Sequence, residues 1–83
     1  MKKEFLTEAD LAAFAKKVRK KSEKKRAQAA REMSVSQTSI FHAEESPEQS
    51  LAKLRSKMIE AYSPFKVIGP VYYLEKSDRT NDL

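Results

Sequence analysis

Apolar side chains recur along this chain in four groups at helical spacing, and a fifth group breaks the period. Leu11, Phe14, Ala15 and Val18 fall three and four residues apart, the stripe of a first helix over Glu8 to Lys21. Thr7-x-x-Asp10 signals its start as a capping box, with Asp in place of the usual Glu, and Leu6 and Leu11 occupy the two staple positions. Ser22 reads as the N-cap of a short second helix through Met33, with Ala27, Ala30 and Met33 facing inward. Ser36 reads as the next cap. The third helix, over 36–44, turns Ile40 and Ala43 inward, with Val35 stapled onto Ile40. A fourth start follows at Ser46-Pro47-Glu48-Gln49: a cap, a proline where its missing N–H costs nothing, and a Gln that completes a capping box. Leu51, Leu54, Met58, Ala61 and Tyr62 form its stripe, and Ser63-Pro64 ends it.

Beyond Pro64 the period changes. Phe65-Lys66-Val67-Ile68 and Val71-Tyr72-Tyr73-Leu74 are rich in β-branched and aromatic residues, with Gly69-Pro70 between them. A lone strand here would leave backbone groups unpaired and apolar surface exposed. A hairpin at Gly69-Pro70 has arms of only about four residues, and Pro in the second turn position does not supply the positive φ that the favoured turn needs. The segment 65–75 is therefore expected to pair antiparallel with a second copy of itself. That assigns Phe65, Val67, Ile68, Val71, Tyr72, Tyr73 and Leu74 to a dimer interface, with a hairpin as the alternative. The expected fold class is mainly α: one domain over 1–83, with a four-helix core at 7–63, a C-terminal β-strand or hairpin at 64–76, and a disordered tail at 77–83.

Composition narrows the chemistry. Eighty-three residues bury only a modest core, so a second subunit is the natural source of further buried area. The absence of cysteine excludes disulfides, thiolate zinc sites and cysteine nucleophiles, and a single histidine, His42, excludes a His-rich metal cluster. No apolar run approaches the ~20 residues of a membrane span. Nor does the start resemble a secretory signal. A cytoplasmic, nucleoid-associated protein without cofactor or metal is expected.

The charge is uneven. Residues 1–33 carry eleven Lys/Arg against five acids, whereas 34–83 carry six against seven. Lys16 to Arg26 reads KKVRKKSEKKR, with eight basic residues and one acid. Such a run is commonly a solvated helix face. It can also neutralise phosphates and release their counterions. What lies next to it favours the second reading.

Ala30 to Glu44 reads A-R-E-M-S-V-S-Q-T-S-I-F-H-A-E. Small alanines here let two helices approach closely, Val35 can staple onto Ile40, and Ser36 reads as a cap. This stretch resembles the phage-repressor and Cro-type (XRE-like) helix-turn-helix family, whose pattern sets an Ala in one helix, a turn four residues on, then Val, a capping Ser, and an Ile five residues after the Val. The resemblance covers residues 8–62. It departs at Ser34, where the family usually has Gly, and at Lys25, Arg26 and Ala29, where Ser/Thr, Gln and Leu are commoner.

The resemblance implies a repressor-like domain that docks 36–44 as a recognition helix in the major groove. Gln37, Thr38, Ser39, Phe41 and His42 then become candidates for base readout, since Gln suits adenine and Ser or Thr can bond bases or touch a thymine methyl. Phosphate contacts fall to Lys24, Lys25, Arg26, Gln28 and Ser36, with Lys16, Lys17, Lys20 and Lys21 as weaker candidates. Arg55 and Lys57 either contribute or simply solvate the fourth helix. A strand-paired dimer would set two recognition helices about 34 Å apart, one turn of DNA.

Enzymatic readings find no support. His42 lacks a partner ligand, Glu44 and Glu45 do not converge on a helix, and one glycine cannot build a phosphate loop. The expectation is a DNA-binding transcriptional regulator, a repressor acting as a homodimer on a palindromic operator. The alternative is an antitoxin-type module whose tail binds a toxin partner and which autoregulates its operon.

Overall fold

The computed structural model describes residues 6–68, and over these the chain is mainly α-helical. Four helices follow in order: α1 (Glu8–Lys21), α2 (Arg26–Met33), α3 (Gln37–Glu45) and α4 (Ala52–Tyr62). α1 packs along α4 and against α3, and α2 packs on α3 and on α4. Leu11, Ala15 and Val18 meet Ala29, Ala30, Met33, Ile40, Ala43, Met58 and Ile59 in one apolar core. Phe14, Val35, Leu51, Leu54 and Tyr62 close its edges.

α1 begins as its sequence indicates. Thr7 Oγ1 accepts from the Asp10 N–H at 3.1 Å, and the Asp10 carboxylate accepts from the Thr7 N–H at 3.0 Å. Its other end differs from expectation. Ser22 does not cap α2; it is the C-cap of α1, its N–H bonded to the Val18 carbonyl. Glu23 then turns left-handed at φ 59°, with Glu23 N–H on Lys20 O and Lys24 N–H on Arg19 O. This is a Schellman closure. It occupies residues 22–24, so α2 starts only at Arg26, after a Lys25 N-cap that makes no side-chain cap bond. Within α2, Ala29 faces the core alongside Ala30 and Met33, and Ala27 is half-buried.

The start of α4 is also later than its sequence implies. Ser46 N–H closes α3 on His42 O at 2.9 Å, and Ser46 O accepts from the Gln49 N–H at 2.9 Å. Ser46-Pro47-Glu48-Gln49 is thus a β-turn with proline at its second position, a place its fixed φ suits, rather than a capped helix start. α4 begins at Ala52, behind Leu51, without a side-chain cap. Its buried residues are Arg55, Met58 and Ile59, and Ala61 is exposed.

Arg55 does not solvate α4, because its side chain is fully buried. Nε donates to Ala43 O at 2.7 Å, Nη1 to Gln49 O at 2.9 Å and to the Glu8 carboxylate, and Nη2 to Ser46 O at 2.8 Å and His42 O at 3.4 Å. All five N–H groups of the guanidinium therefore have an acceptor.

Residues 63–68 continue past α4 without regular secondary structure, and there is no strand among the described residues. Phe65 meets Phe14 of its own chain edge-on at 5.8 Å, Val67 packs partly on the core, and Ile68 is exposed. The rest of the expected dimerisation strand, including Val71, Tyr72, Tyr73 and Leu74, lies outside the described residues.

Two predictions follow from the helix ends and from Arg55. Glu23 and Ser34 both hold positive φ, a conformation that costs a non-glycine residue about 1 kcal/mol or more. Glu23→Gly and Ser34→Gly should each raise the urea midpoint, by up to about 1 kcal/mol of stability. Arg55→Ala, by removing the guanidinium and all of its hydrogen bonds from a buried site, should cost at least about 3 kcal/mol in the same denaturation. A loss below 1 kcal/mol would mean that water enters and replaces the guanidinium.

Candidate nucleic-acid interface

The surface of interest is built by the α2–turn–α3 unit. Its turn is Ser34-Val35-Ser36. Ser34 sits at φ 60°, ψ 45°, the left-handed region. Ser34 N–H bonds Arg31 O and Val35 N–H bonds Ala30 O at 2.9 Å, a second Schellman closure that brings Val35 over Ala30. The buried Ala29 and Ala30 allow α3 to cross closely, and Met33 and Ile40 fill the wedge. Ser36 then caps α3: its Oγ accepts from the Ser39 N–H at 3.1 Å and lies 3.0 Å from Ser39 Oγ. Both hydroxyls are thereby engaged with each other at the helix start, including the Ser36 hydroxyl nominated for phosphate.

α3 turns Ile40, Ala43 and Glu44 inward. Gln37, Thr38, Phe41 and Glu45 are exposed, and Ser39 and His42 are half-buried. His42 Nδ1 lies 3.0 Å from Ser46 Oγ and 3.3 Å from Gln49 Nε2. The Gln49 amide nitrogen can only donate, so Nδ1 is the acceptor of that contact. The base-readout candidates Gln37, Thr38, Phe41 and His42 thus share the solvent side of one short helix, with Ser39 at its edge.

The phosphate candidates are placed differently. Arg26 Nε donates to Glu44 at 3.0 Å and Nη2 to Glu45 at 2.9 Å. Arg19, buried on α1, reaches the same Glu44 through Nε and Nη2, and its Nη1 donates to Lys24 O at 2.7 Å. Lys16 pairs with Glu45 at 2.6 Å. The result is an alternating row, Lys16–Glu45–Arg26–Glu44–Arg19, joining α1, the start of α2 and the end of α3. Lys24 pairs with Glu32 at 2.9 Å, and Gln28 is 3.4 Å from the same carboxylate. Of Lys24, Lys25 and Arg26, only Lys25 makes no ion pair with a described residue; the weaker candidates Lys17, Lys20 and Lys21, and Arg31, are likewise unpaired there. Glu44 and Arg19 were missed as a buried pair. Their sequence signal was a charge at an inward helix position on each side: Glu44 four residues after Ile40, and Arg19 four after Ala15.

Two of the acids that hold these cations, Glu45 and Glu32, ionise more readily than a free carboxylate. The Lys16 hydrogen bond, with the charges of Lys16 and Arg26, lowers the Glu45 pKa below the usual carboxylate value. Glu32 is lowered by the Tyr62 hydroxyl, which donates at 2.5 Å, and by Lys24. Tyr62 is raised in turn, by burial first and then by that bond. Asp10 is lowered by the Thr7 N–H and hydroxyl.

Among the described residues no three His, Asp or Glu side chains gather as metal ligands would, and no helix is long and apolar enough to cross a membrane. No family model, curated protein or solved structure matches the chain.

The carboxylate shifts fix a pH dependence. Asp10, Glu32 and Glu45 titrate lower in the fold than in the unfolded chain. Their contribution is therefore complete above the ordinary carboxylate range and is lost as pH falls through their depressed values, below about pH 5. In thermal melts run across that range, Asp10→Asn with Glu45→Gln should show a shallower acid loss than the parent chain. Identical slopes would mean that these pairs do not persist in solution.

Proposed function

We propose that the protein is a sequence-specific DNA-binding transcriptional regulator. It lays the outer face of α3 in the major groove and acts as a repressor, working as a homodimer on a palindromic operator. One observation carries the reading. A three-residue turn, with its left-handed Ser34 and capping Ser36, holds two short helices at alanine contact and leaves Gln37, Thr38, Phe41 and His42 together on the solvent side. A helix end that is capped and rigid presents side chains to base edges without further ordering.

The electrostatics support a division of labour. Lys16 and Arg26 offset the Glu45 charge, which would otherwise repel phosphates from the C-terminal end of the reading face. Lys25, at the uncapped start of α2, is free to meet a phosphate together with the open N–H groups of that helix end. Lys17, Lys20 and Lys21 on α1 add a cationic field that favours encounter with any nucleic acid. Gln37 and Thr38 supply the sequence dependence.

Selection from a random duplex pool tests the reading directly, and an enriched sequence with two-fold symmetry is expected. Gln37→Ala should then cost ~1–3 kcal/mol at the selected site and relax one base position. Lys25→Ala should weaken all sequences alike and reduce the salt slope by about one unit. A pool that yields no enriched sequence sinks the proposal.

A further inference from the structure

Phe41 is the large apolar side chain that α3 leaves outside: it is 44 % exposed, whereas Ile40 beside it is fully buried. Two contacts hold the ring. The Arg26 guanidinium carbon lies 5.1 Å from its centroid, and the His42 ring meets it edge-on at 5.6 Å with 73° between the planes. Neither support is loose, because Arg26 is fixed by Glu44 and Glu45, and His42 by Ser46 and Gln49. The ring is thus ordered before any partner arrives, at little further entropic cost.

The setting of Phe41 limits what it can meet. Gln37 lies one turn earlier, Thr38 and Glu45 are also exposed, and the cations of Arg26 and Lys16 stand alongside. A single apolar disc among polar groups is far smaller than the contiguous patch of several hundred Å² that marks a protein-docking surface. It matches a methyl group set among hydrogen-bonding edges and near phosphates. The major groove has such a group, the C5 methyl of thymine, beside acceptors and donors that Gln37 can bond. 5-Methylcytosine places the same methyl at the same position.

We propose, on the basis of the DNA-binding reading above, that Phe41 reads the 5-methyl group of a pyrimidine in the major groove and that Arg26 and His42 are positioning residues for it. Gln37 and Phe41 are about 6 Å apart along the helix axis. The methyl therefore belongs to a base within two pairs of the one that Gln37 reads, given about 3.4 Å per pair.

The test begins from the sequence selected from the random pool. Each thymine of one half-site is replaced in turn by uracil, which removes only the methyl. One replacement should weaken binding by the parent protein roughly fourfold, the contribution of one buried methyl-sized group. Phe41→Ala should bind the thymine and uracil duplexes equally, and Phe41→Leu should keep part of the preference. Further duplexes carrying cytosine or 5-methylcytosine at that position separate the two sources of the methyl: a gain on methylation identifies a general 5-methyl reader, and no gain identifies thymine alone. If no sequence is enriched, the DNA-binding reading itself fails. If one is enriched but every uracil is neutral, or if Phe41→Ala still discriminates, this proposal is overturned and the DNA reading stands. A Phe41→Ala variant that changes oligomeric state and keeps the thymine preference makes the ring a protein contact and overturns it equally.

Discussion

The structure depends on one buried cation. Arg55 brings a guanidinium into the core and finds an acceptor for each of its N–H groups, chiefly the carbonyls of His42, Ala43, Ser46 and Gln49. These are the last carbonyls of α3 and of the turn behind it, the negative end of a helix dipole, which a cation stabilises. The carbonyls of His42, Ser46 and Gln49 each accept one backbone N–H already, and Arg55 supplies each with a second donor, while it is the side-chain partner of Ala43 O. Glu8 completes the set from the first turn of α1. One side chain of α4 thereby fixes the end of α3 relative to α1. The other end of α3 is fixed by Ser36 and the left-handed Ser34. A helix held at both ends presents its outer face in one orientation, which is what reading any surface requires.

A second ionic system lies beside the first and answers a different question. The run from Lys16 to Arg26 looks like a uniform cationic band in sequence, yet the fold divides it. Arg19 and Arg26 converge on Glu44, and Lys16 and Arg26 on Glu45, so that part of the band is structural. Glu44 is deeply buried, and a carboxylate is costly to bury unless hydrogen-bond donors meet it, as Arg19 and Arg26 do here. Lys17, Lys20, Lys21 and Lys25 stay at the surface without an acidic partner among the described residues. The positive field that remains is smaller than the composition suggests, and it is carried by lysines, which act as mobile point charges rather than as fixed forks.

How much of this was legible follows from how many roles each residue has. α1 could be read to the residue because Thr7, Asp10 and the Leu11–Val18 stripe each do one thing. The α2–α3 turn was legible for the same reason: Ala30, Val35, Ser36 and Ile40 sit where the wedge needs them. Ser22 and Ser46 look identical to N-caps in sequence, but each closes the helix before it, and a backward-looking serine leaves no local trace. Arg55 was hidden in a different way. Its position, three residues before Met58 and four after Leu51, lies on the inward face of α4, and its acceptors come from elements that sequence cannot place. Charges at inward positions on three helices, Arg19, Glu44 and Arg55, were the available signal. Read together rather than one at a time, they announce a core built with internal ion pairs.

The weakest link is α2. Eight residues is below the length at which a helix holds itself in water, and its start carries no side-chain cap. Its support comes from its two flanking turns, both of which place a non-glycine residue at positive φ. Each strained turn has a brace: Arg19 donates to the Lys24 carbonyl after Glu23, and Val35 closes over Ala30 after Ser34. Ala29 and Ala30 then seat the helix on the core with no side chain long enough to adjust for error. Because Arg26 opens α2 and also backs Phe41, any shift of α2 moves the support of the exposed ring. The element with the least intrinsic stability is thus the one that sets the geometry of the candidate reading face. Arg26 links the two, and its tie to Glu44 connects the outer face of α3 with the buried Arg19 on α1.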